Sequence, residues 1–140
     1  MNRFDHEKRD VYQAAIESVA LADDVVEKLP RGRAYLADQL QRSSTSIPLN
    51  IAEGAGEFSK NEKARFYRIA KRSATESAAV LDVCRRLKLM QDGSYESGRA
   101  VLLRIVSMLI RLIRRDSDSG TGTGRGTGTR EDVDDPASGP

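Results

Sequence analysis

Apolar residues recur at three- and four-residue steps through most of this chain. Val11/Tyr12, Ala15/Ile16, Val19, Ala22, Val25/Val26 and Leu29 form the first such series. A 3.6-residue period brings those positions to one side, so the spacing predicts an amphipathic helix over about residues 5–28. Leu29-Pro30-Arg31-Gly32 ends it, because proline withholds a backbone donor and glycine admits turn geometry. A second helix is predicted over about 33–52, with Leu36, Leu40, Ile47 and Ile51 on one side. Its Ser43-Ser44-Thr45-Ser46 run has poor helix propensity. Such a run stays helical only when packing compensates, which predicts close contact with a neighbouring element.

Gly54-Ala55-Gly56 marks the next break, and Ser59 stands three residues before Glu62, the spacing of a capping box. In the third helix Phe66, Ala70, Ser73, Ser77, Val80, Cys84 and Leu87 alternate steps of four and three. That is the 3.5-residue period of a helix-packing seam. Its centre is small (Ala70, Ser73, Ala74, Ser77, Ala78), so another helix can approach closely. Gln91-Asp92-Gly93-Ser94 reads as a turn. A last helix runs to about Arg115, with Val101/Leu102, Ile105, Met108/Leu109 and Leu112/Ile113 inside. Nothing alternates with a period of two. Four helices joined by short turns predict an all-α, antiparallel up-and-down bundle over residues 1–115. The Gly-Thr repeats and acidic end of residues 116–140 lack apolar periodicity and predict a disordered tail.

The length of 140 residues fits one domain. Cys84, the single cysteine, has no internal disulfide partner and falls in an apolar helical pattern. A buried, inert thiol in a reducing compartment is expected. No charged-then-apolar leader opens the chain, and the longest apolar run, Ile105–Ile110, falls far short of the ~20 residues that cross a bilayer. These features predict a soluble, cytoplasmic protein. The net charge of +2 hides an asymmetry. In residues 116–140, Arg125 and Arg130 face Asp116, Asp118, Glu131, Asp132, Asp134 and Asp135, a balance of −4. Residues 1–115 hold the other 21 basic and 15 acidic residues, a balance of +6.

The run Ser46-Ile47-Pro48-Leu49-Asn50-Ile51-Ala52-Glu53-Gly54 places a proline within helical spacing and ends on a glycine that reads as the helix stop. Ser46, Asn50 and Glu53 project from one side of that helix. This run, with Leu29-Pro30, Tyr35-Leu36, Gln39-Leu40 and Arg42 before it and Ser59, Phe66, Ile69-Ala70, Ser73 and Glu76 after it, resembles a known four-helix-bundle family. Its first members are encoded in intervening sequences of bacterial 23S ribosomal RNA genes. The same superfamily includes the accessory variability determinants of diversity-generating retroelements. The resemblance covers about Tyr12 to Leu112, with departures at Ser43, Ser44, Glu57 and Arg72. It implies a non-enzymatic bundle and a candidate homopentameric barrel. It also implies a basic surface that meets nucleic acid and a reverse transcriptase.

Two constellations stand out from the residues themselves. Ser46, Asn50 and Glu53, with Ser73 and Glu76 one helix later, form a candidate buried polar network that fixes helix register. Read as chemistry, they would be paired carboxylates. Yet His6 is the only histidine, and the Glu-x-x-His pairs of a bundle di-metal site are missing. No catalytic, cofactor or metal residue is therefore assigned. The second constellation is basic: Lys63, Arg68, Lys71, Arg72, Arg85 and Arg86 on the third helix, with Arg104, Arg111 and Arg115 on the fourth. A phosphate-binding face for DNA or RNA is one reading, and an ordinary solvated face is the other. No row of aromatic residues lies beside these arginines, so backbone contact is expected rather than base readout. Gly54-Ala55-Gly56 lacks the Lys-Ser/Thr of a phosphate loop. The acidic tail is either a solubilising linker or a tethered competitor for the basic face. The sequence thus points to a non-enzymatic, homo-oligomeric adaptor with a basic nucleic-acid-binding surface. The alternative is a structural or protein-interaction module with no nucleic-acid role.

Overall fold

The structure is a computed structural model and describes residues 4–120. A single 3-10 turn, Asp5–Lys8, precedes four α-helices: α1 (Asp10–Glu27), α2 (Ala34–Ala55), α3 (Lys60–Arg86) and α4 (Asp92–Gly120). There is no strand among the described residues. Each helix packs on the next and α4 closes on α1, while the diagonal pairs α1–α3 and α2–α4 stay apart. Short connections at 28–33, 56–59 and 87–91 make neighbours antiparallel, so the predicted up-and-down four-helix bundle is what forms.

The helix ends differ from expectation in four places, each for a local reason. The first helix does not start at Asp5, because Arg9 is extended (φ −97°, ψ 133°) and separates the 3-10 turn from α1. His6, in that turn, stacks on Phe4 with ring centroids 5.7 Å apart and meets Tyr12 edge-on at 4.6 Å. Helix α2 passes through Gly54 and ends at Ala55, so that glycine is not the stop. The turn expected at 91–94 lies earlier. The Leu89 N–H donates to Cys84 O (2.8 Å) and the Lys88 N–H to Arg85 O (3.0 Å), the paired bonds of a Schellman end. Lys88 takes the left-handed position at φ 61°, where glycine is the usual occupant. Asp92 and Gly93 then open α4.

The fourth difference concerns the chain beyond Arg115. Helix α4 continues to Gly120, and Asp116 is buried at 1 % exposure. The boundary drawn after Arg115 therefore cuts a packed helix. From residue 121 onward the expected Gly/Thr-rich tail lies outside the described residues.

Other signals read from the sequence hold. Gly32 takes φ +96° in the α1–α2 turn. The Ser59 hydroxyl accepts from the Glu62 N–H at 3.2 Å and caps α3. Leu36, Leu40, Ile47 and Ile51 of α2 are all buried. Along α3 the centre of the predicted seam is inside (Ala70, Ser73, Ser77, Val80, Cys84) but its ends are not. Phe66 is only partly buried and Leu87 is 41 % exposed, while Tyr67 is fully buried. A straight helix drifts about 20° per heptad from a 3.5-residue repeat. Over the length of α3 that drift turns the first and last seam positions out of the core.

Candidate nucleic-acid interface

The polar network forms in part, and with partners the spacing did not reveal. The Ser73 hydroxyl of α3 donates to the Ser46 hydroxyl of α2 at 2.8 Å. The Asn50 side-chain amide donates to the same Ser46 hydroxyl (3.0 Å) and to the Ser46 carbonyl (2.9 Å). Glu53 and Glu76 are exposed and take no part in it. The reason is rotational: they lie one step beyond the α2–α3 contact line, where a carboxylate keeps its hydration. In their place a second bridge closes deeper in the bundle, with the Ser43 and Ser77 hydroxyls 2.8 Å apart. The serine run of low helix propensity is thus held where predicted, by packing against α3.

Gly54 serves the same seam by being small. A Cβ built there would lie 2.6 Å from Tyr67 Cε1 and 3.2 Å from the Lys63 carbonyl. The ring it admits is fully buried and its hydroxyl has no hydrogen-bond partner among the described residues, nor does Oδ2 of Asp116. Burial pushes the Tyr67 hydroxyl above its ordinary value, and the Asp116 carboxylate adds to this while Arg9 and Arg115 oppose it. Tyr67 is accordingly neutral at physiological pH. Burial likewise pushes the Cys84 thiol up and keeps it protonated.

The nine predicted basic-face residues do not form one surface. Lys63 turns inward over the end of α2, where its ammonium donates to the carbonyls of Ala55 (3.1 Å) and Gly54 (3.3 Å). It offsets the exposed carbonyls and the dipole of that helix end. Arg85 pairs with Asp92 at 3.4 Å and lies over the Tyr95 ring, 4.6 Å from its centroid. Tyr95 in turn donates to Asp82 at 2.6 Å, so Arg85 belongs to the α3–α4 corner. Arg115 pairs with Asp116 at 3.5 Å.

The remaining cations are better placed for a ligand. Arg68 of α3 donates to the Ser117 hydroxyl of α4 at 3.2 Å, which sets the start of α3 beside the end of α4. The first half of α3, with Arg68, Lys71 and Arg72, therefore runs beside the second half of α4, with Arg111 and Arg115. Arg114 joins this group; the sequence reading missed it, although it stands three residues after Arg111. Arg72, Arg111 and Arg114 are exposed and have no ion pair among the described residues. Arg104 stands farther along α4, and Arg86 lies at the opposite end of α3, both exposed. No group of three or more His, Cys, Asp or Glu side chains among the described residues could hold a metal ion. No helix among them is long and apolar enough to cross a membrane.

Fold and surface together define a class: an antiparallel four-helix bundle joined across α2–α3 by serine bridges and a glycine contact, with exposed cations along the first half of α3 and the second half of α4. The chain belongs to the 23S rRNA-intervening sequence protein family, whose model matches residues 7–111. It is also similar to a solved protein of unknown function from the S23 ribosomal protein family of Bacteroides thetaiotaomicron. The two are 24 % identical with a TM-score of 0.69, over 74 % of this chain and 98 % of that one. At that identity the likeness establishes the fold. Comparison with curated proteins gives no match.

Proposed function

We propose that the protein is a non-enzymatic, cytoplasmic, homo-oligomeric adaptor that holds nucleic acid by its phosphate backbone. The observation that supports this is the set of exposed arginines without an ion pair among the described residues along the first half of α3 and the second half of α4: Arg72, Arg111 and Arg114, beside Arg68 and Lys71. Guanidinium groups that no carboxylate neutralises are available to phosphates, and binding by this route releases counterions. In a ring of copies, such as a homopentamer, these arginines would add their fields. A nucleic-acid enzyme, such as a reverse transcriptase, is the protein partner such an assembly would serve.

A titration of duplex DNA and duplex RNA over a range of salt concentrations tests the proposal. Affinity should fall steeply as salt rises. Arg72→Gln, Arg111→Gln and Arg114→Gln together should flatten the log–log slope by about 2–3, at ~0.9 for each phosphate that is no longer neutralised. Salt-insensitive binding would contradict the electrostatic reading. A second reading, a protein-interaction module, draws on exposed apolar side chains: Leu49 at 61 % and Leu103 at 49 % exposure. Light scattering separates the two, because loss of assembly in the triple variant with no polyanion binding to lose would favour the module.

A further inference from the structure

A cavity of about 670 Å³ opens between α1 and α4 toward the α3–α4 connection and reaches the middle of the bundle. Its volume is that of a small-molecule site, well beyond an ordinary packing defect. The cause is compositional. Where α1, α3 and α4 would otherwise interdigitate, the facing positions are Ala22, Ser77, Ser94, Ser97 and Gly98. Leu21, Val25, Leu40, Leu81, Met90 and Leu102 supply apolar walls, and the exposed Asp24, Lys28 and Gln91 line the cavity as well.

Three hydroxyls in the lining are more than nine-tenths buried: Ser18, Ser44 and Ser77. Ser18 donates to the Ala15 carbonyl at 2.7 Å, and Ser44 to the Gln41 carbonyl at 3.3 Å, so both have their one proton committed within their own helix. Ser77 shares a 2.8 Å bridge with Ser43, in which either hydroxyl can donate. What Ser18 and Ser44 have left is lone pairs. The buried part of the lining is apolar apart from these three hydroxyls.

We propose that this cavity binds a compact, uncharged apolar molecule that carries an O–H or N–H donor. Such a molecule buries its body against the leucines and satisfies serine lone pairs that an acceptor-only analogue would face unpaired. The walls come from all four helices, so occupancy ties α1 to α4 and raises the melting temperature. The site is independent of those exposed arginines and of the proposed polyanion binding.

The probes are 2-naphthol, which has a donor, and 2-methoxynaphthalene, which keeps the oxygen but loses the donor. In calorimetric titrations of the full chain, 2-naphthol should saturate and the ether should bind about fivefold more weakly, the factor equivalent to ~1 kcal/mol for an unmade hydrogen bond. Ser97→Phe fills the mouth from an exposed position, and Gly93→Phe does so where a Cβ meets nothing within 4 Å. Both variants should melt like the parent and lose 2-naphthol binding. Absence of saturable 2-naphthol binding to the parent chain would overturn the proposal. So would equal affinity for the two probes, or binding that survives in the filled variants.

Discussion

The α2–α3 seam and the α1–α4 side of this bundle are built from the same small residues and come out opposite. Across α2–α3, Ser43 meets Ser77, Ser46 meets Ser73, and Gly54 takes the Tyr67 ring in contact. Across α1–α4, Ala22, Ser97 and Gly98 border an open chamber. Small side chains permit close approach without causing it. The seam closes because hydroxyls on both helices find each other and a rigid aromatic fills the one remaining space. The other side stays open because the Ser18 proton returns to its own helix and Ser77 bridges to α2, leaving nothing that draws α1 inward.

A pair of glycine substitutions should break this contrast most sharply. Gly54→Ala places a methyl against a buried ring and a backbone carbonyl, neither of which can yield. It should cost about 2–3 kcal/mol in denaturant unfolding, despite alanine's better helix propensity. Next in size are the serine bridges. Ser43→Ala leaves the buried Ser77 hydroxyl without its partner and should cost ~1–2 kcal/mol. Ser77→Ala leaves Ser43 with the Leu40 carbonyl and should cost ~1 kcal/mol or less. Equal costs would mean that the Leu40 carbonyl does not compensate Ser43. The smallest effect belongs to Gly98→Ala. Its Cβ would come within 2.9 Å of Leu81 Cδ1, but Leu81 borders the cavity and can swing into it. The strain and the ~1 kcal/mol propensity gain then nearly cancel, and the melting temperature should stay close to the parent's. A loss as large as that of Gly54→Ala would show that the α1–α4 side is as tightly packed as the seam.

Much of this was legible from spacing. The four helices, the break at Pro30–Gly32, the Ser59 cap and the buried face of α2 all follow from local rules that a 3.6-residue period and a few cap residues express. The serine run of α2 even announced a close neighbour. The candidate interface was less legible. Lys63 reads as one more cation in a basic stretch, yet its reach is used on the carbonyls ending α2. Arg85 meets Asp92 at the start of α4, which the helix-three pattern by itself does not locate, and Arg115 meets its neighbour Asp116, which the sequence reading assigns to the tail. Glu53 and Glu76 share the helical spacing of Ser46 and Ser73 but fall outside the contact line.

The sequence alone therefore determined the elements, their order, the buried face of α2, the centre of that of α3 and the family, because periodicity and capping act within a few residues of each other. Tertiary structure decided which serines bridge, why Gly54 must be small, which arginines remain for a ligand, and where the bundle stays hollow. Those depend on the axial register and rotation of one helix against another, quantities that no single helix's pattern carries.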